Sequence, residues 1–159
     1  MFKAVSTSVD EDRRIVRLSE ETVRELVDGV PHQLTLYGRS PEHHLELGSG
    51  NVYFGTGGTA LNIHDYSTGE RRPATLTDLV DVIRIADALQ YIHLMLLPTY
   101  PTELPVERVD INRFAAGLAY TKKHVMGGVY TSQGIRDVIA MAEEVAGSPE
   151  KLRAEPFIS

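Results

Sequence analysis

The chain has 159 residues, 16 Lys and Arg against 22 Asp and Glu, a net charge of −6, and neither Cys nor Trp. Without Cys there is no disulfide scaffold, no cysteine zinc site and no thiol nucleophile, and a net acidic chain is poorly matched to a nucleic-acid backbone. The apolar share of 42% is that of a folded protein, no apolar run reaches the ~20 residues of a membrane helix, and residues 1–14 lack the apolar core of a signal peptide. These features predict one cytoplasmic domain with no membrane or nucleic-acid partner.

Ser19 is a good N-cap, with Glu20 and Glu21 in the first turn of a helix that Gly29 ends. Val23, Leu26 and Val27 form its apolar stripe. Short β-rich runs follow at 34–37, 44–47 and 52–54, each bounded by a glycine. Residues 61–66, Ser67-Thr68-Gly69 and 70–72 read as a hairpin. Residues 1–73 are thus a helix with a β-rich part.

From Thr75 the period changes, and residues 74–159 read as a strand–helix repeat. Thr75-x-x-Asp78 is a capping-box variant, followed by Leu76, Leu79, Val80, Ile83 and Ala86 on one helical face, with a second row of Val82, Ile85 and Leu89. Ile92 to Leu97 reads as a strand buried on both faces. Pro105 opens a helix with Val106, Val109, Phe114, Ala115 and Leu118 on its buried side. His124 to Val129 is a further short strand, and Thr131 or Ser132 caps an amphipathic helix closed by Gly147. Ser148-Pro149-Glu150 starts one more helical turn, and Phe157-Ile158 starts another strand.

Strand starts at Ile92, His124 and Phe157 recur at about 33 residues, the spacing of parallel strands joined by right-handed helical crossovers. An open doubly wound sheet and a (β/α)8 barrel both fit this repeat. A barrel needs about 250 residues, so the expectation is a single truncated domain, a partial (β/α)8 TIM barrel with about four of the eight βα units, an N-terminal helix and a β-hairpin elaboration.

The Gly-rich run Gly55-Thr56-Gly57-Gly58-Thr59 offers backbone N–H groups to an anion or simply makes a tight turn. It is neither a dinucleotide fingerprint nor a phosphate-binding P-loop. His43 and His44 point to opposite faces if they lie on a strand, which disfavours a shared metal. His64, His93 and His124 stand alone among apolar neighbours and read as structural. In a barrel the reactive positions follow the C-terminal ends of strands. Here these hold Gly57, Gly58, Thr99, Tyr100, Gly128 and Tyr130, the candidate substrate-binding residues, and no acid–base or nucleophile pair. Tyr100 and Tyr130 either present aromatic faces to a cationic substrate or pack under the loops.

Several stretches resemble the trimethylamine methyltransferase family, which includes members that demethylate glycine betaine and related quaternary amines. They are Leu36-Tyr37-Gly38-Arg39 with Pro41-Glu42-His43, Val52 to Ala60, Thr68 to Thr75, Lys123 to Val129, and Pro156-Phe157-Ile158-Ser159, in matching order and spacing. The resemblance implies a barrel about three times this length, with the catalytic residues unassigned here. It also implies transfer of a methyl group from a small methylated amine to the corrinoid (cobalamin) carried by a separate corrinoid protein. A part of such a barrel is expected to be inactive alone, with an open edge suited to pairing two copies. The alternatives are a non-catalytic half barrel that binds a partner and a nonfunctional gene fragment.

Overall fold

A computed structural model describes residues 8–159. The chain divides into two compact units, one up to Leu34 and one from Thr35 to Ser159.

In the first unit, β1 (Ser8–Asp10) and β2 (Ile15–Arg17) pair antiparallel, and α1 (Glu20–Asp28) follows. The Ser19 side chain accepts from the Thr22 N–H, the N-cap bond its position predicts. The stripe of Val23, Leu26 and Val27 is exposed rather than buried.

The second unit begins within β3 (Leu34–Leu36), which pairs with β4 (Leu45–Leu47) and is joined to it through a 3-10 turn at Pro41–His43. His43 ends that turn and His44 is its extended C-cap, so the pair does not lie on a strand. Next come β5 (Asn62–His64) and β6 (Arg71–Pro73), antiparallel as predicted. Gly69 takes φ +72° in their turn, a conformation that L side chains rarely adopt.

The remaining order is α2 (Leu76–Ala88), β7 (Leu94–Leu96), α3 (Val106–Tyr120), β8 (His124–Met126), α4 (Ser132–Ala146) and α5 (Pro149–Ala154). β7 and β8 pair parallel in the register Leu94↔His124, Met95↔Val125, Leu96↔Met126. Parallel bridges extend this pair on both sides, Gly55↔Leu94 and Ala60↔Thr99 on one, Val125↔Ile158 on the other. Four chain segments therefore lie side by side in sequence order. Residues 52–54, expected as a strand, form none. Their backbone reaches the β7 segment at the Phe54 carbonyl, which accepts from the His93 N–H at 2.7 Å and the Leu94 N–H at 3.4 Å. The architecture is mixed α/β with small sheets and five helices, and no closed barrel forms among the described residues.

One face of the parallel segments is covered by helices. Met95 and Leu97 of the β7 segment and Val125 of β8 pack with Leu79 and Ile83 of α2, Phe114 of α3 and Val138 of α4. Each such side chain contributes roughly 1.5–3 kcal/mol by leaving water. A second cluster, Leu118, Ala142, Leu152 and Phe157, ties α3, α4 and α5 to the last segment. Side chains of opposite parity, Leu94, Leu96 and Met126, are only half-buried, so β7 is not covered equally on both faces. The second row on α2 also stays outside, with Ile85 and Leu89 exposed, and Val106 of α3 is exposed as well.

Both ends of α2 are pinned. At its start Thr75 and Asp78 form the reciprocal capping box. Arg72 of β6 donates to both Asp78 oxygens at 2.7 and 2.9 Å, and its Nε donates to Asp65 at 3.0 Å. At its end the Lys123 ammonium donates to the carbonyls of Ala86, Asp87 and Leu89 at 2.8, 2.8 and 3.1 Å. A cation at a helix C-terminus is favoured by the dipole. Burial lowers the Lys123 pKa, and burial likewise lowers that of His124. His124 bridges the Tyr37 carbonyl and the Ser159 hydroxyl, each at 2.9 Å.

The Ser67 hydroxyl, then the Arg72 guanidinium, hold the Asp65 carboxyl down to about 2. A depressed folded-state value gives stability that is complete above the ordinary 3.8 and lost as pH falls through about 2. Urea midpoints measured from pH 5 to pH 2 should fall, and Asp65→Asn should flatten that fall. Asp78→Ala removes half of a capping box and should cost about 1–2 kcal/mol at neutral pH.

Candidate functional site

The C-terminal ends of the parallel segments meet over two buried charged side chains of α3, Asp110 and Arg113, both 0% exposed. One helical turn apart, they share a face. A polar residue in a helix is ordinarily read as solvent-facing, which is why neither stood out in the sequence.

A guanidinium has five N–H donors, and Arg113 commits all of them. Nε donates to the Thr99 carbonyl at 3.1 Å. Nη2 donates to the Leu97 carbonyl at 2.9 Å and the Thr59 hydroxyl at 3.1 Å. Nη1 donates to the Gly128 carbonyl at 3.3 Å and, more weakly, to the Tyr130 hydroxyl at 3.4 Å. The ends of three neighbouring segments are thus gathered on one cation. Its central carbon also lies 5.7 Å from the Tyr130 ring centroid.

Asp110 takes the complementary groups. Its carboxylate accepts from the Tyr130 N–H at 3.0 Å, the Thr131 N–H at 3.0 Å and the Thr131 hydroxyl at 3.1 Å. Thr131 in turn accepts from the Gly134 N–H at 2.9 Å, capping α4. The loop at 128–131 therefore has its carbonyl held by Arg113 and its amides by Asp110. Gly134 allows this approach, since a Cβ there would lie 2.1 Å from an Asp110 oxygen.

The predicted residues fall around this pair. Gly57 and Gly58 lie between two anchored threonines: Thr56 donates its hydroxyl to the Leu96 carbonyl, and the Thr59 N–H donates to the Leu97 carbonyl. Neither glycine is needed for packing. A Cβ at Gly57 or Gly128 would meet nothing within 4 Å, and one at Gly58 only Leu96 at 3.9 Å. Open space therefore faces all three. Thr99 is buried, its carbonyl taken by Arg113 and its hydroxyl without a partner among the described residues. The rings of Tyr100 and Tyr130 meet edge to face with centroids 5.3 Å apart, and Tyr130 remains 46% exposed.

Thr59 adopts φ +57°. A β-branched residue in that region is strained by about 1–3 kcal/mol, and such strain clusters at ligand-binding positions. The Leu97 carbonyl and the Arg113 guanidinium hold it there.

Of the three histidines expected to be structural, His124 has the two partners given above and His93 has one, whereas His64 is exposed at the end of β5. The His93 ring accepts from the Phe54 N–H at 3.0 Å, and the His44 ring packs edge to face with Tyr37. Among the described residues no group of three or more His, Asp or Glu is placed to hold a metal ion, and no helix is long and apolar enough to cross a membrane.

The described residues form an α/β scaffold with parallel segments in sequence order, and the expected rim residues lie at the C-terminal ends of those segments. The chain belongs to the trimethylamine methyltransferase family: the sequence model of Trimethylamine methyltransferase (MTTB) matches residues 1–159. It is similar to trimethylamine methyltransferase MttB of Desulfitobacterium hafniense (strain DSM 10664 / DCB-2), 29% identical over 159 residues, which are all of this chain and 32% of that protein. It is also similar to glycine betaine methyltransferase of Desulfitobacterium hafniense (strain Y51), 24% identical over 144 residues, 90% of this chain and 30% of that protein. The chain spans about a third of the length of these curated relatives.

Arg113→Lys keeps the charge but replaces a planar fork by a single point with three donors. Stranded carbonyls at the segment ends should lower stability by about 2–3 kcal/mol in urea unfolding, and the Tyr130 ring should lose its fixed setting in side-chain NMR.

Proposed function

We propose that the chain supplies the first βα units of a (β/α)8 barrel that moves a methyl group from a small methylated amine, tertiary or quaternary, to the corrinoid of a separate cytoplasmic protein. The observation that carries this reading is the gathering of Thr99, Gly128 and Tyr130 on Arg113, in a chain matched along its whole length by the family.

The chemistry required of this rim is limited. A quaternary ammonium has no N–H to donate, so it is recognised by aromatic faces and by room for its methyl groups. Gly57, Gly58 and Gly128 leave that room. Arg113 already faces the Tyr130 ring, so Tyr100 is the ring left to attract an ammonium, with Tyr130 held against it. In the reaction the carbon–nitrogen bond breaks, the nitrogen keeps the electron pair, and the methyl carbon passes to a two-electron nucleophile. The partner's reduced cobalt supplies that nucleophile when bound. Residues of this chain bind and orient the amine and do not transfer the methyl group.

The last segment pairs with β8 at Val125, and Ile135 and Ile139 of α4 stay exposed beside it. In the isolated chain this side also suits a second copy, so sedimentation at micromolar concentration should show a dimer.

Methyl transfer from trimethylamine and from glycine betaine to a reduced corrinoid protein tests the proposal. The protein isolated from its natural source is expected to have about three times the 17.6 kDa of this chain and to demethylate one of the two amines. The 159-residue chain alone is expected to demethylate neither. Turnover by the chain alone overturns the reading that it is only a part of the enzyme, and an inactive native protein of 17.6 kDa overturns the enzyme reading and leaves a half barrel that binds a partner. Gly57→Ala and Gly128→Ala should leave stability within about 0.5 kcal/mol while raising KM for the amine in the native protein.

A further inference from the structure

A second concave site lies at the opposite, N-terminal end of the parallel segments. It is a cleft of about 570 Å³ between the turn after β3, the start of β8, and the ends of α4 and α5. Three cations line it, Arg39, Lys122 and Lys151, with one carboxylate, Glu155. In a chain of net charge −6 this is a local reversal of sign. Among the described residues none of the three cations forms an ion pair.

Arg39 is the most informative of them. Its backbone N–H donates to the Lys122 carbonyl at 2.7 Å, and its Nη2 donates to the Thr121 carbonyl at 2.6 Å. The guanidinium is therefore fixed in place. Its Nε is nevertheless buried without a partner. That nitrogen is closed to the cleft, so what Arg39 offers an anion there is the charge of a guanidinium held in place from behind. Val145 and Phe157 form an apolar wall on the α4 and α5 side.

We propose that this cleft binds a small polyanion, a phosphate or carboxylate compound with an apolar part, held by Arg39, Lys122 and Lys151. A fixed guanidinium edge suits the paired oxygens of either group, and the two lysines add mobile charge at the entrance. The volume matches a small organic ligand rather than a lone ion. Glu155 and the C-terminal turn of α4 oppose binding, which disfavours weakly charged anions and selects for two or more charges. The proposal is independent of the amine chemistry at the other end.

Titration of the 15N-labelled 159-residue chain with pyrophosphate and, separately, with citrate at constant ionic strength tests it. Saturable shifts are expected at the backbone amides of Gly38, Arg39, Ser40, Lys122, Ala146, Lys151 and Glu155, which line the cleft. The better of the two ligands identifies phosphate or carboxylate as the preferred class. The exposed double substitution K122Q/K151Q leaves the Thr121 contact intact and should weaken binding at least about tenfold. Arg39→Gln should abolish it. Shifts that stay linear to about 10 mM, or equal binding by the double variant, overturn the proposal.

Discussion

A guanidinium buried without a nearby ion-pair partner is costly unless every donor is met. Arg113 meets that condition by drawing carbonyls and hydroxyls from three successive segment ends, Thr59, Leu97 with Thr99, and Gly128 with Tyr130. The requirement works in both directions. The segments satisfy the cation, and the cation fixes the spacing of loops that are otherwise glycine-rich and short of side-chain contacts. Asp110 extends the same logic to the start of α4 by taking amides where Arg113 takes a carbonyl. The rim is set by one helix behind it.

Around that centre the structure uses charge at the ends of α2. Arg72 binds the carboxylate that caps its start, and Lys123 collects the carbonyls at its finish. Lys123 stands directly before His124, the first residue of β8, so the cation that terminates the helix also places the strand. Helix, strand and hairpin are thereby linked through side chains at their ends, in addition to the apolar contacts between them.

Much of this was legible where the physics is local. Ser19, Thr75 and Thr131 cap helices because a short side chain reaches an N–H two or three residues on. Gly69 marks a turn because few other residues take its φ. The recurrence of strand starts anticipated the parallel β7–β8 pair. Asp110 and Arg113 were not legible, because Val109-Asp110-Ile111-Asn112-Arg113 reads as an amphipathic helix whose polar side is wet. The groups that satisfy these residues are brought near only by the folded chain. Residues 52–54 misled for the opposite reason: their side chains favour a strand, but Val52 and Phe54 are exposed and the only backbone bonds of the run to the β7 segment are at Phe54. The tyrosines and glycines at the segment ends were chosen by counting to the ends of strands, a rule that places residues in the fold without naming a ligand.

The clearance at Gly134 makes two positions interdependent. With Asp110 buried as it is, any residue other than glycine at 134 would drive a carbon into a carboxylate oxygen. Replacing the aspartate by a shorter residue would remove that obstacle but release the amides of Tyr130 and Thr131. Among related sequences these two sites should therefore drift together or not at all, a coupling between two helices that a survey of either position alone would miss.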